Sequence, residues 1–194
     1  MSFQHSHYQI HQKPFVLAGG EFRAYDPTGA LCFFVHKKGF KLKEDIRFYA
    51  DTTKQKELLS IQARQIIDFS GVYDVMDSET GERLGAVSRK GWKSMIRDEW
   101  AVLDANDNVI ATMREDSTSR ALLRRFIGGL IAMILMPQSF RVLNEQGTIA
   151  EAYQNRNPLA PKLSVTFSPS GPPVDRRLAL SAILLLMCIE GREG

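Results

Sequence analysis

Two cysteines, four histidines and a net charge of only +3 in 194 residues set aside several classes of protein at once. Cys32 and Cys188 sit in the apolar stretches ALCFF and LLMCI with no ligand spacing around either, so both read as reduced core thiols and a disulfide framework is not expected. Three of the histidines, His5, His7 and His11, crowd into HSHYQIH, which leaves His36 alone in the body of the chain. That is too few for a Ser/His/Asp or Cys/His arrangement, so no catalytic residue and no enzymatic activity is expected. Residues 1–12 read as a flexible tail whose removal costs little stability, with metal binding by its three histidines as the competing reading. The small positive charge has no basic stripe of the kind nucleic acid requires, so no nucleic-acid partner is expected. Neither a Walker loop nor a dinucleotide fingerprint is present, so no cofactor is expected. The first residues show no basic start followed by an apolar core, hence no secretory signal, and with the reduced thiols this points to the cytoplasm.

Long apolar runs are also missing. A membrane helix needs about 20 consecutive apolar residues. The longest run, LALSAILLLMCI from Leu178 to Ile189, has twelve, and FIGGLIAMILM from Phe126 to Met136 is shorter, holds Gly128 and Gly129, and ends at Pro137. A helix that is apolar all round and is not in lipid must be enclosed by protein. Asp175 can cap such a helix over about 175–190, and EGREG supplies a polar exit.

What is present is a repeat that can enclose it. Five stretches read as strand, corner, strand, with corners that open at Asp26, Asp51, Asp77, Asp104 and Asn144, spaced 25, 26, 27 and 40 residues apart. Four positions before the corner stands an aromatic (Phe22, Tyr73, Trp100, Phe140), and two before it a smaller apolar residue (Ala24, Val75, Val102, Val142), which puts both on one face of a strand. The second unit departs, with Arg47 at the aromatic position between Ile46 and Phe48. Asp and Asn suit these corners because their side chains bond the backbone two residues on, while Gly29, Gly81 and Gly147 provide positive φ. The four acids and the amide are therefore turn chemistry. Ten hairpin strands, with further strands at Phe15–Leu17 and at Lys162–Phe167, make twelve, too many for an open sheet. A barrel that wide has room inside for the terminal helix.

The pair YDVMDSETGERLGAVSRK and WAVLDANDNVIATMRED, followed by RRLALSAILLLMCIE, resembles the LURP-one-related proteins of the Tubby C-terminal-like superfamily, whose relatives include phospholipid scramblases and Tubby domains. The likeness runs from about Phe15 to Glu190. It implies a mainly β fold, a twelve-stranded closed barrel around a central hydrophobic C-terminal helix, as one domain over residues 13–194. An extra helix over about 118–136 is expected between the fourth and fifth units, where the spacing is longer.

Three basic stretches bear on function. HKKGFKLK sets Lys37, Lys38, Lys41 and Lys43 around Phe40; RKGWKSMIR sets Arg89, Lys90, Lys93 and Arg97 around Trp92; and STSRALLRRF carries Arg120, Arg124 and Arg125 ahead of the apolar run. Aromatics among cations suit a phospholipid headgroup layer, and the third stretch reads either as an interfacial segment or as a helix packed over the barrel. A solvated barrel rim is the plain alternative. Asp104, Asn106, Asn108 and Glu115 match ligand positions of a calcium loop, but Val109 stands where glycine is needed. The expected function is a non-enzymatic module that binds anionic membrane phospholipid, as Tubby domains bind phosphoinositides, at the cytoplasmic membrane surface. The alternative is a protein-interaction scaffold that uses Phe126–Met136 for a partner or a second copy. Scramblase-like activity ranks third, since the Pro-rich leader and Cys-rich segment of scramblases are not seen.

Overall fold

The computed structural model describes residues 2–13, 20–37, 45–64, 71–89, 99–115, 138–155 and 161–190. Among them are twelve antiparallel strands: β1 (His7–Gln12), β2 (Gly20–Tyr25), β3 (Leu31–Lys37), β4 (Asp45–Tyr49), β5 (Glu57–Ala63), β6 (Val72–Asp77), β7 (Arg83–Arg89), β8 (Glu99–Leu103), β9 (Val109–Glu115), β10 (Gln138–Asn144), β11 (Gly147–Asn155) and β12 (Lys162–Phe167). One helix follows, α1 (Arg176–Glu190). Each strand pairs with its neighbours in sequence and β1 pairs with β12, so the sheet closes into a barrel with no free edge.

The period-two pattern sorts the strand residues as expected. Phe22, Ala24, Val75, Trp100, Val102, Phe140 and Val142 are buried in the lumen, and Tyr73 packs on the Trp100 ring from a half-buried position. The filling is α1, whose residues 178–188 are all buried. Asp175 caps it: its Oδ1 accepts the Arg177 N–H at 2.9 Å, and its carbonyl accepts from Leu178 and Ala179. The helix approaches β7, β8 and β11 most closely. Gly85 permits this, since a Cβ there would collide with the Leu103 carbonyl oxygen and press on Leu178.

All five corners use the same side-chain chemistry. Oδ1 of Asp26, Asp51, Asp77, Asp104 and Asn144 accepts the backbone N–H two residues on, at 2.8–2.9 Å. Beyond each corner the returning strand carries a one-residue bulge. The unpaired residues are Cys32, Leu58, Leu84, Ile110 and Ile149, each at or against the core. A bulge kinks the strand and re-aims its side chain, and here it turns an apolar group inward beside the corner. The second unit keeps the pattern with a longer corner: Ile46 and Phe48 are fully buried, and the extra residue falls between Phe48 and Asp51.

Residues 2–12 are not a flexible tail. His7–Gln12 is β1, bonded on one side to β12 and on the other to β2, with Tyr8 and Ile10 fully buried. Its outward face carries His7, Gln9 and His11, and this polar face hides the alternation when the stretch is read as a tail. Ahead of it, Phe3 stacks on Phe33 with ring centroids 5.2 Å apart. The expected strand at Phe15–Leu17 and the expected helix over 118–136 lie outside the described residues.

Candidate functional site

Strand direction alternates around the barrel, so its two ends differ in kind. One end holds the five Asx corners, Asp175 and the start of α1. At the other stand Lys37 and Asp45, Arg89 and Glu99, Glu115 and Gln138, which bracket the three basic stretches of the sequence. Of the twelve residues assigned there to lipid, two are described. Arg89 is exposed, with its guanidinium carbon 5.9 Å from the centroid of the Trp100 ring. Nearby, Arg114 Nε donates to Glu99 Oε1 at 2.6 Å. Lys38, Lys41, Lys43, Lys90, Trp92, Lys93, Arg97, Arg120, Arg124 and Arg125 lie outside the described residues.

Lys37 is a correction. It is 3% exposed, and its Nζ donates to the Cys188 carbonyl at 2.7 Å. The side chain points into the lumen and puts a cation on the negative end of α1. It is thus a helix anchor, and its charge is not offered to a surface ligand. The sign of this was in the spacing: Lys37 follows Phe33 and Val35 at period two, on the inward face.

The calcium reading of Asp104, Asn106, Asn108 and Glu115 fails on geometry. Asp104 spends its carboxylate inside the corner, Oδ1 accepting from the N–H groups of Asn106 and Asn108 and Oδ2 from Asn108 Nδ2. Those bonds hold its carboxyl below the usual range. The chain then runs straight into β9, which carries Glu115 about 20 Å along the barrel from the corner. The adjacent Asp107 is taken by Arg64 and Arg83, which also share Asp74, in an ion-pair network on the outer wall.

The corner end holds an arrangement that the sequence does not foretell. His5, Asp26 and Cys32 bring one ring nitrogen, one carboxylate oxygen and one sulfur within 4.8 Å of one another. His5 precedes β1, Asp26 opens the first corner and Cys32 is the bulge residue of β3, so three separated segments meet. Burial and the nearby Asp26 charge push the Cys32 thiol above its ordinary value, while bonds from Thr28 and Ala30 hold the Asp26 carboxyl below its own.

A profile of LURP-one-related proteins matches residues 31–187, most of the barrel and nearly all of the central helix. The chain belongs to the LURP-one-related family. Comparison with curated proteins and with solved structures found no match. The family assignment agrees with a closed barrel around a C-terminal helix, here α1. Among the described residues, no helix is long and apolar enough to cross a membrane.

Proposed function

We propose that this LURP-one-related protein is a non-enzymatic module that docks on anionic phospholipid at a cytoplasmic membrane surface, through the end of the barrel opposite the Asx corners. The observation that carries the reading is the shared polarity of the strand ends. The connections with basic residues beside Phe40, beside Trp92 and ahead of Phe126 all depart from that end, while the carboxylates of Asp26, Asp51, Asp77 and Asp104 gather at the other. A molecule charged in this way turns one end toward an anionic surface. Arg89, exposed beside Trp100, adds a described cation to that end.

Co-sedimentation with liposomes tests it. Binding should require anionic headgroups, with phosphoinositide included in the panel, and should weaken as salt rises, because exposed charges are screened over about 10 Å at 0.1 M. Changing Arg120, Arg124 and Arg125 together to Glu should abolish sedimentation and, if the three face lipid as this reading requires, leave the melting temperature within a degree or two. Wild-type protein that ignores every lipid at low salt, and runs as a dimer or with a partner covering Phe126–Met136, would replace this reading with the scaffold one.

A further inference from the structure

We propose that His5, Asp26 and Cys32 form a three-ligand site for zinc at the corner end of the barrel, separate from the proposed lipid-facing end and independent of that reading. Four observations carry it.

The first is the comparison among the five repeats. At the bulge position four hairpins place a branched aliphatic, Leu58, Leu84, Ile110 and Ile149, and the first places Cys32. The one hairpin that gives up its aliphatic for a thiol is also the one whose corner acid faces a histidine.

The second is spacing. His5 Nε2 lies 4.0 Å from Asp26 Oδ2, too far for a hydrogen bond, and the Cys32 thiol is met by main-chain groups, the Ala30 carbonyl at a long 3.7 Å and the Asp26 backbone N–H. The donors converge without satisfying one another, as atoms around a common centre do. Tetrahedral zinc, with bonds of about 2.0–2.3 Å, needs its donors roughly 3.5 Å apart. From a mutual spacing within 4.8 Å they must close by up to about 1.3 Å on binding.

The third is how the donors are held. Asp26 Oδ1 is fixed by Thr28 N, Thr28 Oγ1 and Ala30 N, which leaves Oδ2 toward His5. The His5 main chain is pinned on both sides: its N–H donates to the Tyr8 hydroxyl, and its carbonyl accepts from Arg176 Nη1. Supporting bonds of this kind orient metal ligands.

The fourth is donor chemistry. Thiolate, imidazole and carboxylate together suit zinc, and two anions balance its charge. Binding releases the Cys32 proton to solvent, so affinity should fall as pH is lowered. The fourth position is left for water or an incoming ligand, on the side where the His5 ring is open to solvent.

The test uses the full chain, reduced and stripped of metal. Zn²⁺ titrated by calorimetry should bind at one equivalent, and Co²⁺ in its place should give the near-ultraviolet band of a cobalt–thiolate bond. Cys32→Ser should lose that band. Asp26→Asn, which keeps an amide able to build the corner as Asn144 does, and His5→Ala should each weaken Zn²⁺ by more than about tenfold. His7→Ala and His11→Ala should bind as wild type does. Zn²⁺ should raise the melting temperature of wild type and leave that of His5→Ala unmoved, a readout that stands if Cys32→Ser folds poorly. Wild type without the cobalt–thiolate band, or His5→Ala with undiminished affinity, overturns the proposal. Binding lost only in the His7 and His11 variants would assign the metal to the outer face of β1 instead.

Discussion

The two ends of the barrel hold the same helix by different means. At the corner end the start of α1 is fixed many times over: Asp175 caps it, Arg177 reaches the buried Asp77 at 2.5 Å, Leu178 lies against Gly85, and Arg176 ties it to the carbonyls of Gln4 and His5. At the far end the Lys37 ammonium on the Cys188 carbonyl is the anchor that stands out. Short corners with internally satisfied acids make the first end a fixed plate, whereas the sequence between the strand ends at the second carries the basic and aromatic stretches. The firmly held start of α1 and the proposed lipid-facing surface thus fall at opposite ends of the barrel.

The largest test of this contrast removes part of the plate. Deleting residues 2–12 takes away β1, exposes an edge on both β2 and β12, and uncovers Phe33. The lost burial of Tyr8 and Ile10 alone is worth about 1.5–3 kcal/mol each. With the two opened edges, the total is of the same order as the whole stability of a domain. The truncated protein should be insoluble or fail to show a cooperative melt; an unchanged melting temperature would restore the flexible-tail reading.

A smaller loss is expected at the other end. Lys37→Met keeps the bulk in the lumen but leaves the Cys188 carbonyl without its charged donor, at a cost of about 1–2 kcal/mol. The melting temperature should fall by several degrees, and liposome binding should not change, because this lysine faces inward. A drop in binding at constant stability would put Lys37 back on the surface.

The smallest effect concerns the corners themselves. Bonds from Thr53 hold the Asp51 carboxyl below its ordinary value of 3.8. A depressed folded value means that the unfolded chain takes up the proton first. The contribution is therefore complete above the unfolded value and disappears as pH falls from there through the folded one. Asp51→Asn should melt like wild type at pH 7 and lose less stability than wild type between pH 5 and 2, as followed by thermal denaturation across that range. An equal acid loss in both would show that this corner does not contribute to the pH dependence.

Much of this was legible because it is local or periodic. Corner acids two residues from the amide they bind, aromatics four before the corner, and an apolar run too short for lipid are patterns a single chain displays. Lys37 was misassigned because its charge drew more weight than its place in an alternating strand. β1 was missed because its polar face is made of histidine and glutamine, residues that carry little strand propensity on their own. The bulges follow from ladder register, which only pairing reveals. His5, Asp26 and Cys32 come together through tertiary closure, and nothing in their sequence spacing announces it.

Closure between β1 and β12 also sets an order of events during synthesis. His7 meets Thr166 across 159 positions, and the element that fills the lumen leaves the ribosome after every strand has done so. Until α1 emerges, the growing chain displays a dozen strands with apolar faces and nothing to wrap around. Pairings this distant form slowly, and strands waiting with exposed faces and open edges are what chaperones bind. A nascent chain stalled before Arg176 carries nearly all of the wall and none of the filling, so the cell meets it as an aggregation hazard in place of a partly built barrel.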